Sequence, residues 1–176
     1  FLTGGLFALM LAQQTPREDA LARRWMMLAW AMLGLAVLSK GLIGAALPFA
    51  TLVLYSLVSR DFAIWRRLHL LRGITVFLIV TAPWFIAVSL ANPEFFHFFF
   101  IHEHFERFLT KVHSRYKPWW YFIPMLAAAL LPWIFLLPGA VWRAARAPRA
   151  PGFQPRTFLI TWSAFVFVFF SLSSSK

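Results

Sequence analysis

Six apolar runs set the limits on what this chain can become: residues 1–12, 25–39, 41–58, 70–91, 121–142 and 157–173. A helix needs about 20 residues to cross the hydrocarbon core of a bilayer, and about 17 is the short end of the range. Four of the runs qualify. The run at 25–39 needs its flanks, and 1–12 reads as the tail of a truncated helix. Without water in the bilayer core, the backbone must satisfy its own N–H and C=O groups, which leaves helices or a closed barrel. Barrel strands would alternate polar and apolar residues, and these runs do not. The expectation is an all-α integral membrane protein, a multi-span helical bundle. With 13% charged residues, the chain carries about half the share usual in soluble domains. It opens at Phe1 inside one apolar run and closes at Lys176 after another, so it reads as a fragment. No cysteine is present, which excludes disulfide and thiolate chemistry.

The net charge of +11 invites a nucleic-acid reading, but the basic residues sit mostly in short linkers between apolar runs, where they act as a topology signal. If every span crosses, linkers 13–24, 59–69 and 143–155 share one face. With Arg72 and Arg156 at their edges they hold eleven arginines. The positive-inside rule makes that face cytoplasmic, where arginines also attract anionic lipid headgroups. The opposite face carries Lys40, the loop 92–120 and Lys176, and four of its six basic residues fall in that one loop. The Pro/Arg-rich stretch before residue 156 reads as a flexible linker.

The loop 92–120 holds the least expected composition. Between Glu94 and Phe108, seven of fifteen residues are Phe, interspersed with three His and three Glu. As a helix it would set Glu103 against Arg107 and His102 against Glu106, four residues apart. An interfacial helix, with rings at headgroup depth and charges in water, explains this pattern. So does a surface site for a lipid-linked anion. His102 and His104 point to opposite sides of a helix, and His97 is two turns from His104, so none of them forms a chelating pair. Downstream, Lys111 and Arg115 precede Trp119, Trp120 and Tyr121, a pairing of cations with aromatic faces that suits a sugar phosphate or a belt at the interface. Ser39-Lys40-Gly41 sits between two apolar runs. Its lysine either snorkels to the interface or offers three donors to a phosphate beside a glycine that admits close approach. The C-terminal Ser-Ser-Ser-Lys176 poses the same choice. All these residues share the face opposite the eleven linker arginines, which a common anionic substrate would require and independent anchoring would not.

The motifs LSKGLIGAALP, PWFIAV with PEFFHFFFIHEHFERF, KPWWYFIPMLAAALLPWIFLLPGA and FFSLSSSK together resemble the bacterial membrane glycosyltransferases of the protein O-mannosyltransferase and aminoarabinose (lipid A) transferase family, from about residue 24 to 176. The resemblance implies a GT-C fold in the bacterial inner membrane, with the whole fragment part of one transmembrane glycosyltransferase domain and a periplasmic active face. It implies transfer of a sugar from a polyprenyl-phosphate-linked donor to a lipid A-like lipid or a protein acceptor, with membrane lipids and no nucleic acid as partners. The family's catalytic Asp lies in a first periplasmic loop that this sequence does not contain, so the catalytic residue is unknown here. Glu103-His104 and Arg107-Phe108 match the outer-loop motif, and the resemblance makes His104 the candidate ligand of a divalent, zinc-like metal. It places Lys40 and Lys176 near the carrier-phosphate cavity. Lys40, Glu103, Arg107, Lys111, Arg115, Trp119, Trp120, Tyr121 and Lys176 are the candidate substrate-binding residues. A transporter or lipid flippase is the first alternative, but it would put ionisable residues at mid-span. A non-catalytic scaffold is the second, and it predicts that Lys40, His104 and Arg107 are dispensable.

Overall fold

The computed structural model describes residues 1–92, 94–95, 118–146 and 152–172. Among them there are helices and turns but no strand. They form two compact units, Phe1–Pro93 with Ala150–Pro155, and Glu94–Arg149 with Arg156–Lys176.

The first unit contains α1 (Leu2–Gln14), α2 (Ala20–Lys40), α3 (Ile43–Ser59), the short α4 (Ala63–Arg66) and α5 (Leu70–Ala91). Local chemistry sets their limits. Thr15 leaves α1 in extended backbone, φ −77° and ψ 142°, because the ring of Pro16 crowds the α conformation of the residue before it. The Asp19 carboxylate accepts the Leu21 N–H at 2.8 Å and so satisfies one of the orphan donors at the start of α2. That cap starts α2 five residues ahead of the apolar run at 25–39, and the polar flank brings the helix to 21 residues. Gly41 ends it at φ 74° and ψ −164°, a region open to glycine almost alone.

Helix α2 is the hub, packed against α1, α3 and α5. Glycines mark where helices come closest. A Cβ on Gly44 would lie 2.7 Å from the Ala36 carbonyl oxygen, so α3 touches the backbone of α2. A Cβ on Gly34 would lie 3.0 Å from Val80 in α5, and one on Gly73 would meet the Trp30 indole. Trp30 thus pairs with Gly73, and Gly34 with Val80, so α2 and α5 pack directly and run the same way, and α3, which joins them in the chain, runs back. The hydroxyls of Thr51, Ser56, Thr75 and Thr81 bond the carbonyl four residues back, at 2.8–3.0 Å. Polar groups in apolar helices are thereby satisfied without leaving the helix.

This packing sorts the charges. Arg17, Arg23, Arg24, Arg60, Arg66, Arg67 and Arg72 gather at one end of the unit, and Lys40 and Asn92 mark the other. Arg67 reaches back to α1, donating Nη1 to Gln13 O and Nη2 to Thr15 O. It supplies positive charge where the α1 carbonyls are unpaired. The outer surface is apolar: Leu71, Leu90 and Ile79 of α5 are 86%, 81% and 68% exposed. Water-soluble monomers rarely present so continuous an apolar face, and α2, α5 and the last helix are long and apolar enough to cross a bilayer.

The second unit contains a 3₁₀ turn at Trp119–Tyr121, α6 (Phe122–Ala129), a 3₁₀ turn at Trp133–Leu136, α7 (Leu137–Arg146) and most of α8 (Pro155–Leu172). The sequence reads 121–142 as one span in which Pro124, Pro132 and Pro138 can kink the helix. The structure breaks it at 130–132, and the helical pieces on either side are bent by 102°. Pro132 lacks the N–H that a continuing helix needs, and its ring excludes Leu131 from the α conformation. Of the stretch read as a flexible linker, residues 147–151 lie outside the described residues. Helix α7 runs through Arg146, whose guanidinium lies 3.7 Å above the Trp142 ring. In the first unit the Gln154 N–H donates to the Tyr55 hydroxyl at 2.8 Å, and Phe153 packs on the Tyr55 ring.

Candidate functional site

Lys40 is the candidate residue that the structure places most fully. It is the last residue of α2, exposed, and without a hydrogen bond or ion pair among the described residues. The turn that presents it is built tightly. Gly41 N–H returns to Val37 O at 2.8 Å, Gly44 N–H to Gly41 O at 2.9 Å, and Ser39 Oγ donates to Ala36 O at 3.1 Å. Gly41 is buried and turns the chain in a glycine-only conformation, and Gly44 lets α3 press on Ala36. The backbone under the ammonium is therefore fixed while the side chain is free. A cation held this way meets an anion with no competing partner to displace.

Trp119, Trp120 and Tyr121 form the 3₁₀ turn that leads into α6. Pro118 starts it in extended backbone (φ −62°, ψ 158°), and the Tyr121 N–H closes on its carbonyl at 3.0 Å. The Trp120 ring is half-exposed, and the Tyr121 ring stands edge-on to Phe122 with centroids 5.5 Å apart. These aromatic faces sit where the chain enters an apolar helix.

Glu103, His104, Arg107, Lys111, Arg115 and Lys176 lie outside the described residues, as do His97, His102 and Glu106. Among the described residues no three His, Asp or Glu side chains converge as a metal site would require. Sequence reasoning passed over two groups that hold the unit together. Tyr55, fully buried, receives the Gln154 N–H and donates to Asp61 at 3.4 Å. Arg67 is a helix cap rather than one more topology charge. A tyrosine inside an apolar run was the available signal for the first, since a buried hydroxyl needs a partner. Nothing in the arginine-rich linker distinguishes Arg67 from its neighbours.

No family model matches the chain. Among curated proteins it is 32% identical over 178 residues to the undecaprenyl phosphate-alpha-4-amino-4-deoxy-L-arabinose arabinosyl transferase of Erwinia tasmaniensis, covering 100% of this chain and 31% of that protein. The transferase of the same name from Pseudomonas aeruginosa is 38% identical over 164 residues, covering 90% of this chain and 29% of that protein. Among solved structures, ArnT from Cupriavidus metallidurans bound to undecaprenyl phosphate matches with a TM-score of 0.87 and 46% identity over 99% of this chain and 31% of that one. The same protein in its apo state gives 0.83 and 44%. The chain thus spans less than a third of the relatives it matches. In sequence and fold it is similar to about a third of the length of these aminoarabinose transferases, and its all-helical architecture matches their GT-C membrane fold.

Proposed function

We propose that the chain is part of a multi-pass inner-membrane glycosyltransferase that moves an aminoarabinose-like sugar from a polyprenyl phosphate to a lipid A-like acceptor at the periplasmic face. The observation that carries this reading is the match over essentially the whole chain to a transferase whose solved structure holds undecaprenyl phosphate. The separation of charge in the first unit supports it. Seven arginines at one end fit the cytoplasmic face, and the opposite end presents Lys40 with no protein partner among the described residues.

The chemistry asks for three things. An acceptor hydroxyl attacks the anomeric carbon, the bond from that carbon to the carrier phosphate oxygen breaks, and the phosphate leaves with the electron pair. A base takes the hydroxyl proton, and this reading assigns no residue of the chain to that role. Positive charge must meet the phosphate as it leaves, because that is where negative charge develops. Lys40 supplies it from a rigid turn, and Arg107, Lys111, Arg115 and Lys176 are the further cations of this reading. Trp119, Trp120 and Tyr121 offer flat apolar faces to the sugar ring. In this reading Glu103 and Glu106 are assigned a structural role beside Arg107 rather than base catalysis. His104 is the candidate donor for a divalent metal, which would supply further positive charge to the phosphate.

A discontinuous helix is also a feature of transporters, and the break after α6 is one. Its residues are Leu130, Leu131 and Pro132, which offer a solute neither charge nor hydroxyl, so the transport reading stays second.

The test uses the full-length enzyme in membranes with a labelled polyprenyl-phosphate sugar. Lys40→Ala, Arg107→Ala and His104→Ala, each inserted at normal levels, are expected to lose transfer by about 100-fold or more, the scale of a lost charge contact to a transition state. Full transfer by all three variants would leave only an interfacial anchor and overturn the proposal.

A further inference from the structure

The first unit has a second feature. An apolar crevice of about 270 Å³ opens between α1, α2, α3 and the α4–α5 connection. Met26, Trp30, Phe49, Trp65, Leu68 and Ile74 are among the residues that line it. Phe49, Leu70 and Ile74 on its rim are exposed, at about half of their surface. Two indoles are locked at its arginine-rich end: Trp30 Nε1 donates to Leu68 O, and Trp65 Nε1 to Ser56 Oγ, both at 2.9 Å. With their N–H groups satisfied, they turn apolar ring surface into the crevice.

Cations bound the same end. Leu68 and Leu70, both lining residues, bracket His69. Arg23 stands one turn before Met26 on α2, and Arg72 lies in the first turn of α5. Arg67 ties this connection to the loop that carries Arg17. Arg17, Arg23 and Arg72 are exposed, and among the described residues no carboxylate pairs with any of them. Of the two nearby acids in the loop, Asp19 is committed to capping α2, and Glu18 is exposed. Burial, then the charges of Arg72, Arg17 and Arg23, hold the His69 imidazole below its usual range. An apolar slot that ends in uncompensated cations, at the end of membrane helices, has the two-part chemistry of a phospholipid.

We propose that one anionic phospholipid binds here, its acyl chain in the crevice and its headgroup phosphate against Arg17, Arg23 and Arg72. A soluble anion would have no use for the crevice, and an apolar protein segment would leave the three guanidinium groups unpaired. The three guanidinium groups lie at the end of the unit opposite Lys40, so the headgroup site is separate from the proposed phosphate contact and its test reads binding alone.

The test is native mass spectrometry of the detergent-purified full-length protein with added phosphatidylglycerol or phosphatidylcholine. One phosphatidylglycerol is expected to survive activation, in preference to phosphatidylcholine. The double variant R23Q/R72Q should weaken it roughly thirtyfold, about fivefold for each arginine removed. The crevice-filling A45F should weaken it as well, while R24Q, an exposed neighbour outside the cluster, should leave it unchanged. Gel filtration of each variant checks that it folds. Three results would overturn the proposal: equal retention of both lipids, equal weakening by R24Q, or one-for-one displacement of phosphatidylglycerol by a polyprenyl phosphate. A structure of the full chain with another of its segments in the crevice would overturn it too.

Discussion

The contact between Trp30 and Gly73 joins α2 to α5, and replacing Gly73 by Ala tests it with a single methyl group. A Cβ at that position would stand 2.0 Å from Nε1, 2.2 Å from Cε2 and 2.4 Å from Cδ1 of the Trp30 indole. Comfortable contact needs about 3.5 Å, so the ring must withdraw by about 1.5 Å or the helices must part. Either movement breaks the 2.9 Å hydrogen bond from Trp30 to Leu68 O, and the Leu68 side is buried. Forcing extra volume into a packed site costs about 1–3 kcal/mol, and leaving a buried donor and acceptor unpaired costs about 1–3 kcal/mol. The helix propensity of Ala returns about 1 kcal/mol. The net expectation for Gly73→Ala is a loss of about 3 kcal/mol. Thermal unfolding of the full-length protein in detergent measures it. The Trp30→Phe background supplies the control, since Phe cannot donate to Leu68 and has no ring atom where Nε1 stands. There Gly73→Ala should cost far less, a coupling of about 1 kcal/mol or more in a double-mutant cycle. Two single effects that simply add would refute the reasoning.

Gly41→Ala should destabilise by about 1–3 kcal/mol, because φ 74° with ψ −164° excludes a Cβ; an unchanged unfolding midpoint would mean that the turn relaxes freely. The Gln13 side chain is 2% exposed with its amide nitrogen and oxygen both unpaired among the described residues. Gln13→Leu should therefore be neutral or stabilise by about 1–2 kcal/mol, and a clear loss would reveal a partner for that amide elsewhere in the whole protein. His69 carries a lowered pKa, so the unfolded chain binds its proton more readily than the folded one. Stability present above the ordinary histidine pKa of about 6.5 should fall as pH drops below it. His69→Asn, which tolerates the left-handed backbone at φ 49°, should flatten that slope in thermal unfolding read between pH 7.5 and 5, and an identical slope in both proteins would discount His69.

How much of this was legible beforehand depended on which solvent chose the conformation. Apolar runs without alternation leave the backbone one solution in lipid, so α5 occupies Leu70–Ala91, the whole of its run. Run length gave less at the flanks, where capping decides: Asp19 starts α2 well inside what reads as a polar linker. It gave least around Pro132: the prolines of that run mark where a helix can kink, but an apolar count does not say which of them breaks it. On the side of the site, Lys40 was visible because a lysine between two spans is expensive unless it reaches an interface. That Gly41 and Gly44 fix the turn beneath it was not visible, because a glycine's role depends on the atoms opposite it.

The two ends of the first unit use their cations differently, and the choice of side chain is testable. At the arginine-rich end Arg67 places two nitrogens on two carbonyls, of Gln13 and Thr15, a task for a planar fork of fixed geometry. Lysine has the same charge but no fork. If Arg67 served only the charge bias that orients membrane helices, Arg67→Lys would be silent, as Arg66→Lys should be on an exposed side chain without a hydrogen bond among the described residues. If it closes α1, Arg67→Lys should lose one of two charge-assisted bonds and destabilise by about 1.5–3 kcal/mol with topology unchanged. A reporter fused beyond residue 24 reads orientation, and thermal unfolding reads stability. A loss of stability without inversion assigns Arg67 to the fold. Equal stability of both lysine variants would return it to the topology signal, and the α1 C-terminus would then need another explanation for how its carbonyls are held.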